Sequence, residues 1–343
     1  MRIIVDAMGG DNAPSAIVEG ACLAASQYGV DVTLVGDSSA IRRIMEQKGY
    51  GAAKRVDVVN ATEVIEMEDD PELVKTKKDA SMVVGLNLLR DGEGDAFISA
   101  GATGALFTGA TLYVKRIRGI RRAALLTVVP SASGGTILVD AGANIECTAE
   151  FLLQFAYMGV FYAERVIGMD NPRVALLNIG TEDGKGGPLR REAYELMQRA
   201  STEGRMNFIG NIEGRDVPFG EADVVVTDGF SGNVLLKTVE GVGLFYADVL
   251  KKMFKKSPVA GVAAFLVRDG LRDFKKMIDY SETGGAPLIG MSKPVIKAHG
   301  SSDATAIKNA IRQAVKFVDG DIIQGIRDNM EHMRVGGFDL PEE

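Results

Sequence analysis

Two side chains in glycine-rich segments are suited to chemistry: Lys185 in GTEDGKGG (180–187) and Asn233 at the end of TDGFSGN (227–233). A lysine in such a turn can fix a phosphate as a point charge, and an asparagine amide can donate to an oxygen that gains negative charge. Because neither is a strong base, the pair suits an anionic nucleophile, such as phosphate attacking an activated acyl group. An exposed loop lysine and a helix-capping asparagine are the simpler alternatives, and both stay open.

Glycine and small polar residues recur in six segments that each follow an apolar run. Such loops let backbone N–H groups converge on an anion at the positive end of the next helix. Any one of them alone is an ordinary tight connection, but six together favour a binding site. The segments are DAMGGDNAP (6–14), SAGATGA (99–105), DAGAN (140–144), GTEDGKGG, TDGFSGN and AHGSSD (298–303). The residues predicted to bind substrate are Asp6, Gly9, Gly10, Asp11, Ser99, Gly101, Thr103, Gly104, Ser231, His299, Gly300 and Ser301.

Several other kinds of site are disfavoured by spacing and composition. GTEDGK is too short for a P-loop, SAGATGA lacks the dinucleotide fingerprint, and GFSGN misses the serine nucleophile elbow by one position. The two histidines lie far apart and the two cysteines, Cys22 and Cys147, sit in apolar runs, so we expect no metal site and no disulfide. A pI near 5.2 offers no general footprint for nucleic acid.

Short apolar runs alternate with helix-length patterns along the whole chain. Nearly continuous Val, Ile and Leu predict a doubly wound α/β fold, with a mostly parallel sheet covered by helices on both faces. In such sheets ligands bind beyond the carboxyl ends of the strands, so the six loops are expected to face one crevice. The predicted strands cover 3–5, 32–36, 95–99, 136–140, 174–180 and 223–229, with a further strand-like VIKA before AHGSSD.

One segment, residues 234–278, departs from this alternation and predicts a hairpin of two amphipathic helices, with Ser257 and Pro258 opening the second arm. Residues 251–276 carry eight lysines or arginines against two aspartates, on a chain whose net charge is −7. The apolar stripe near the turn is expected to lie on an anionic membrane or to pack on a partner subunit, and both remain open. The stripe residues assigned to membrane binding are Met253, Phe254, Val259, Val262 and Leu266.

The order and spacing of IIVDAMGGDNAP, SAGATGA, GTEDGKGG, TDGFSGN, YSETGGAPLIG (280–290) and AHGSSD resemble those of the fatty acyl-acyl-carrier-protein:phosphate acyltransferases, the PlsX type. The similarity runs to about Met333. It implies a single domain over 1–343 with the fold of phosphate acetyltransferases and isocitrate dehydrogenases, with the hairpin as an insertion. Three residues depart from the expected motifs: Ala102, Thr181 and Gly187. The first puts a side-chain role at its position in doubt, and no role is assigned to the other two.

The resemblance also implies partners and a location. The expected reaction converts an acyl carrier protein thioester and inorganic phosphate into acyl phosphate for bacterial phospholipid synthesis, without a cofactor or metal. We expect a cytoplasmic homodimer, peripherally attached to the inner face of the plasma membrane, that passes its product to a membrane acyltransferase. The basic run 115–122 is a candidate docking surface for the acidic carrier protein. A metal- and NAD(P)-dependent dehydrogenase and a non-catalytic membrane-docked scaffold are the alternatives.

Overall fold

The computed structural model describes residues 1–278 and 284–333, although the side chains of residue 273 and of 275–278 are left out of the description. Within these ranges the strands form one 11-stranded sheet in the order β3-β2-β1-β4-β11-β10-β5-β6-β9-β7-β8. The strands are β1 (Arg2–Asp6), β2 (Asp31–Gly36), β3 (Val56–Asn60), β4 (Ala96–Ser99), β5 (Ala124–Val129), β6 (Thr136–Val139), β7 (Arg173–Asn178), β8 (Asn207–Glu213), β9 (Val224–Val226), β10 (Ala286–Ile289) and β11 (Val295–Lys297).

Helices connect most of these strands, and polar side chains mark where several of them begin. Asp37, Thr148, Asp228, Ser257 and Asp303 each accept a hydrogen bond from a backbone N–H of the first turn that follows. The α-helices are α1 (Ser15–Tyr28), α2 (Ser38–Gln47), α3 (Ser81–Asp91), α4 (Thr103–Gly109), α5 (Ala149–Tyr162), α6 (Pro188–Thr202), α7 (Gly229–Phe254), α8 (Pro258–Leu266), α9 (Arg268–Ile278), α10 (Ala304–Asp319) and α11 (Ile322–Asp328). No helix in the described ranges is long and apolar enough to cross a membrane.

Buried side chains on both faces of the sheet attach the helices to it. In β1, Ile3 joins the cluster containing Ile17 of α1, while the adjacent Ile4 joins the cluster containing Leu86 of α3 on the other face. Farther along the sheet, Val224 packs with α5 and α6, and Val225 packs with α7. The predicted α/β architecture with helices on both faces is therefore confirmed.

The sheet is mostly parallel, with seven parallel pairings out of ten. The three antiparallel pairings are consecutive: β11 with β10, β10 with β5, and β5 with β6. Three reversals in a row make the half containing β6, β9, β7 and β8 run opposite to the half containing β1 to β4 and β11. The carboxyl ends of the two halves therefore point in opposite directions, which the sequence did not indicate.

Several boundaries differ from the predictions. Strands β3, β5, β8 and β10 were not predicted, and the predicted strands over 174–180 and 223–229 end earlier, at Asn178 and Val226. The predicted two-helix hairpin consists of three helices, because its second arm is interrupted at Val267, between α8 and α9. Both cysteines are free; Cys22 is buried as expected, and Cys147 is only partly buried.

Candidate active site

A cleft of about 440 Å³ opens between the two halves of the sheet. Loops that follow strands of both halves line this cleft, and the first turns of α7 and α10 border it. From the first half come Asp11, Thr103, Lys297, His299 and Gly300, among others. From the second half come Ala141, Gly142, Asn233 and Lys237, among others. Concave sites of this size with a few convergent polar groups are typical of small-molecule binding.

Asn233 reaches the cleft because α7 begins earlier than the sequence suggested. Asp228 caps the helix by accepting from the Ser231 N–H at 2.8 Å, and Asn233 lies inside the first turns. The helix-cap alternative for Asn233 is therefore wrong. A side-chain carbon on Gly232 would stand 1.9 Å from the Asp140 carbonyl oxygen, so only glycine allows α7 to approach this closely. The same approach sets the Asn233 amide against Gly142, whose φ is +137°.

The Asp140 carboxylate shapes the loop opposite Asn233. It accepts from the N–H groups of Leu125, Gly142, Ala143 and Asn144 and from the Asn144 side-chain amide. Burial raises the pKa of this carboxyl even though those hydrogen bonds oppose the shift. Asn144 in turn accepts from the Gly229 N–H at 2.7 Å, which ties the loop to the start of α7. Asp140 thus fixes the conformation of this loop, a role that the sequence analysis did not identify.

The glycine pair after β1, Gly9 and Gly10, allows its loop to pack closely against the loops that contain Gly101 and Gly300. A side-chain carbon on Gly9 would stand 2.6 Å from Asp6 Oδ2, and one on Gly10 would stand 2.9 Å from the Gly300 carbonyl oxygen. The buried Asp6 carboxylate accepts from Ser99 Oγ at 2.7 Å and from Ser81 Oγ at 2.6 Å. Burial raises the pKa of Asp6. Asp6 and the glycine pair hold together the loops beside the cleft and do not line it.

Lys297 is a cleft residue that the sequence analysis missed. Its side chain is largely buried, and its Nζ donates to the carbonyl oxygens of Ala100, at 3.2 Å, and Ala298. Burial lowers the pKa of this lysine to about 8, against the attraction of Asp11 and Asp6. The sequence did contain a signal for this residue: Lys297 ends the apolar strand VIK, directly before AHGSSD. At pH 7 Lys297 is mainly protonated and brings positive charge into the cleft.

His299 lies next to this lysine and lines the cleft, as predicted. Its Nδ1 lies 2.9 Å from the Ser301 hydroxyl, which supports the ring and is not itself part of the lining. Burial, and then the positive charge of Lys237, lower the pKa of His299 below its usual value. The imidazole is therefore mainly neutral at pH 7, and Asp303 caps α10 as expected.

The sequence matches the family described as fatty acid synthesis protein over residues 1–325. The chain belongs to this family. It is 46% identical to a phosphate acyltransferase of Alkaliphilus oremlandii, covering 97% of this chain and 98% of that one. It is 45% identical to a phosphate acyltransferase of Clostridioides difficile, covering 95% of each. These relatives confirm the resemblance found in the motifs and identify the chain as an acyltransferase, against the dehydrogenase and scaffold alternatives.

Solved structures show the same fold at low sequence identity. A phosphotransacetylase from Streptococcus pyogenes superposes with a TM-score of 0.63 at 19% identity, covering 92% of this chain and 94% of that chain. A branched-chain phosphotransacylase from Enterococcus faecalis gives a TM-score of 0.54 at 15% identity, covering 92% and 99%. The expected phosphate acetyltransferase-like fold is therefore confirmed for the acyltransferase.

Lys185 of the acyltransferase does not line the cleft. It lies on the loop after β7, with its side chain 46% exposed and its Nζ 3.4 Å from a Glu182 carboxylate oxygen.

Arg190, at the start of α6, links this region to α7 by donating to the Asp228 carboxylate. Burial alone would raise the pKa of Asp228, but hydrogen bonds from Ser231 and Arg190 outweigh it and lower that pKa.

The predicted substrate-binding residues therefore separate into two groups. Asp11, Thr103, His299 and Gly300 line the cleft together with Asn233. The others do not line it and lie at strand ends, in loops or in the first turns of helices: Asp6, Gly9, Gly10, Ser99, Gly101, Gly104, Ser231 and Ser301. Within residues 1–278 and 284–333, no group of three His, Cys, Asp or Glu side chains could hold a metal ion.

Proposed function

We propose that the acyltransferase moves a fatty acyl group from an acyl carrier protein thioester to inorganic phosphate, giving acyl phosphate for phospholipid synthesis. The observation that carries the proposal is the cleft itself, which the Asn233 amide of α7 and the buried cation of Lys297 at the end of β11 both line. The family membership and the names of the relatives support phosphate as the acceptor.

In the proposed reaction a phosphate oxygen attacks the thioester carbonyl carbon and forms a tetrahedral oxyanion. Asn233 donates its amide hydrogen to that oxyanion, which lowers the barrier most when the donor is fixed beforehand. The carbon–sulfur bond then breaks, the carbonyl re-forms, and the departing thiolate takes a proton from water. Phosphate is already an anion near pH 7, so the reaction needs no strong base to generate its nucleophile.

The direct experiment follows thiol release from a purified acyl carrier protein thioester with and without inorganic phosphate. We expect release only when phosphate is present, with one acyl phosphate formed for each thiol. Equal release without phosphate would indicate hydrolysis and would overturn the proposed acceptor.

We further propose that Lys185 attracts phosphate toward the cleft from the adjoining loop. Lys185→Ala is expected to lower acyl phosphate formation by about 10-fold at subsaturating phosphate, the scale of electrostatic steering by a charge outside the cleft. Initial rates at rising phosphate concentration measure the effect. Lys185→Arg keeps the charge and should retain most of the activity. Near-normal turnover of Lys185→Ala would remove this lysine from the mechanism.

The basic run 115–122 remains our proposed docking surface for the acidic carrier protein. Lys115, Arg116, Arg118 and Arg122 are exposed, whereas Arg121 donates to Glu150 at 3.2 Å. Arg116 is exposed yet partly shielded from water; this partial desolvation, and then repulsion from Arg122 and Arg121, lower its pKa. The run contacts Gly290, at the far end of β10 from the cleft, about 13 Å along the strand. A carrier docked there would have to deliver its thioester over that distance.

The hairpin supports proposals of a homodimer and of peripheral attachment to an anionic membrane. Along α7, Val242, Phe245, Tyr246 and Val249 are exposed, and we assign this stripe to a partner subunit. Toward the tip, Val259 and Leu266 are 79% and 77% exposed and Met253 is 50% exposed. Val262 is exposed as well, and Phe254 is half-buried. Four lysines flank this tip, and each contributes about 1 kcal/mol near an anionic surface.

Val259→Glu combined with Leu266→Glu is therefore expected to abolish binding to vesicles containing anionic lipid, because charge opposes burial of the tip in lipid. Sedimentation at low and high salt measures the bound fraction, and wild type should bind less at high salt. Phe219→Glu places the same charge at a 70% exposed site outside the hairpin and should bind like wild type. Equal binding by the double variant, or no binding by wild type, contradicts the membrane proposal.

A further inference from the structure

Ser302 carries a buried hydroxyl at the wall of the cleft. The residue is 1% exposed, and within the part of the chain that the structure describes its Oγ has no hydrogen-bond partner. Burying a polar group without a partner is unfavourable, so such groups are rare in folded proteins. Ser302 is also one of the residues that line the cleft, so a molecule bound there is the acceptor that we consider for this hydroxyl.

Lys297 supplies a cation to the same wall. The residue is 9% exposed, and its two backbone carbonyl acceptors leave the third ammonium hydrogen for a ligand. Both residues precede α10, a 16-residue helix whose positive end also attracts anions, with one N–H of its first turn already bonded to the Asp303 carboxylate. A buried cation, a buried hydroxyl and a helix N-terminus therefore lie within one short stretch of the chain, residues 297–304, that contributes to the lining of the cleft.

We propose that Lys297 and Ser302 form the phosphate position of the cleft, where they donate hydrogen bonds to oxygens of the attacking inorganic phosphate. This inference rests on the proposed acyl transfer and specifies where its nucleophile binds. Asn233 lines the same cleft, so phosphate held by Lys297 and Ser302 would share it with the carbonyl that Asn233 polarises in the proposed reaction. During the reaction a phosphate oxygen forms the new bond to carbon and the thiolate leaves, while Lys297 and Ser302 neither gain nor lose atoms.

Ser302→Ala is the cleanest test, because a hydroxyl without a partner contributes no hydrogen bond to the folded protein. We expect the KM for inorganic phosphate to rise about 10-fold, the scale of one hydrogen bond to a charged group, with the KM for the acyl carrier protein thioester unchanged. Calorimetric titration with inorganic phosphate alone should show the same loss of affinity. The melting temperature should not fall. Thr33→Val is the matched control, since Thr33 has a buried unpartnered hydroxyl that does not line the cleft.

Lys297→Met tests the cation at nearly constant side-chain length, with an expected rise in the phosphate KM of about 100-fold. Its matched control is Lys293→Met. The Lys293 Nζ likewise donates to two backbone carbonyls, those of Leu89 at 2.7 Å and Arg90 at 3.2 Å, but this residue does not line the cleft. A purely structural effect of losing a carbonyl-bound lysine would appear in both variants, whereas a loss of phosphate affinity should appear only in Lys297→Met.

The pH dependence of phosphate affinity gives a second test of the role of Lys297. The groups that act on Lys297 are Asp11, Asp6, Lys237 and the neighbouring His299, and its pKa is about 8. Lys297 loses its proton as the pH rises through that value, so phosphate affinity should fall above about pH 8. Lys297→Met should lack this dependence.

The outcomes separate this inference from the proposed function. If wild type releases thiol only with phosphate but Ser302→Ala retains the wild-type phosphate KM, the phosphate position is wrong while acyl transfer stands. If the substitutions raise only the KM for the acyl carrier protein thioester, the anion bound here is the phosphodiester of its prosthetic group, and the inference is overturned. If wild type shows no phosphate-dependent release, the proposed function itself fails.

Discussion

Asn233→Ala is expected to lower acyl phosphate formation by about 10²-fold or more while leaving the fold intact. Asn233 lines the cleft, beside Gly142, and truncation would remove the donor that we propose for the oxyanion. Because this contact strengthens only in the transition state, kcat should fall while the KM values for phosphate and thioester change little. Steady-state kinetics with both substrates varied measure the effect.

Asn233→Asp is the matched variant, since it keeps the shape of the side chain and replaces the donor by a negative charge. It should be at least as inactive as Asn233→Ala, and both should melt close to the wild-type temperature. If either variant turned over phosphate and thioester at a near-normal rate, Asn233 would have no part in oxyanion stabilisation.

Gly232→Ala is expected to abolish most activity and also to destabilise the protein. The new methyl group would meet the Asp140 carbonyl oxygen at 1.9 Å and Thr227 Cγ2 at 2.9 Å, so the start of α7 would have to move and carry Asn233 with it. Overpacking of this kind costs about 1–3 kcal/mol, and we expect activity to fall by about 10²-fold or more. Thermal unfolding and acyl phosphate formation measure the two effects.

Gly241→Ala provides the control within the same helix. Nothing lies within 4 Å of a side-chain carbon at that position, so the substitution should raise helix stability by up to about 1 kcal/mol and preserve activity. Equal behaviour of the two alanine variants would contradict the close approach of α7 to Asp140.

Local patterns predicted most of the sheet because strands such as β1 and β4 are continuous buried runs next to helical patterns. The relation between the two halves could not be predicted in the same way. It depends on the pairing of β10 with β5, strands about 160 residues apart in the chain, where Ile289 lies opposite Ala124. Long-range antiparallel pairing leaves no local signature. The loops were therefore expected at one edge of a parallel sheet rather than at the carboxyl ends of two halves that run in opposite directions.

The same distinction holds for the site. Asn233 and His299 were found because their residue types and their places after predicted strands pointed to chemistry. The glycine pair at Gly9 and Gly10 was interpreted as bare backbone for a ligand, but its positions against Asp6 and Gly300 show that it permits close packing of loops. Lys297 and Ser302 were missed because a buried lysine and an unpartnered hydroxyl are properties of the fold rather than of a motif.

The central claim, that inorganic phosphate is the nucleophile that attacks the acyl carbon, is tested most directly with phosphate labelled throughout with oxygen-18. Wild-type protein is incubated with an acyl carrier protein thioester and labelled phosphate, and the acyl phosphate is analysed by mass spectrometry. Our account predicts acyl phosphate that carries all the phosphate label, including the oxygen bound to the acyl carbon, in amounts equal to the thiol released. Thiol release accompanied by free fatty acid without label would contradict it.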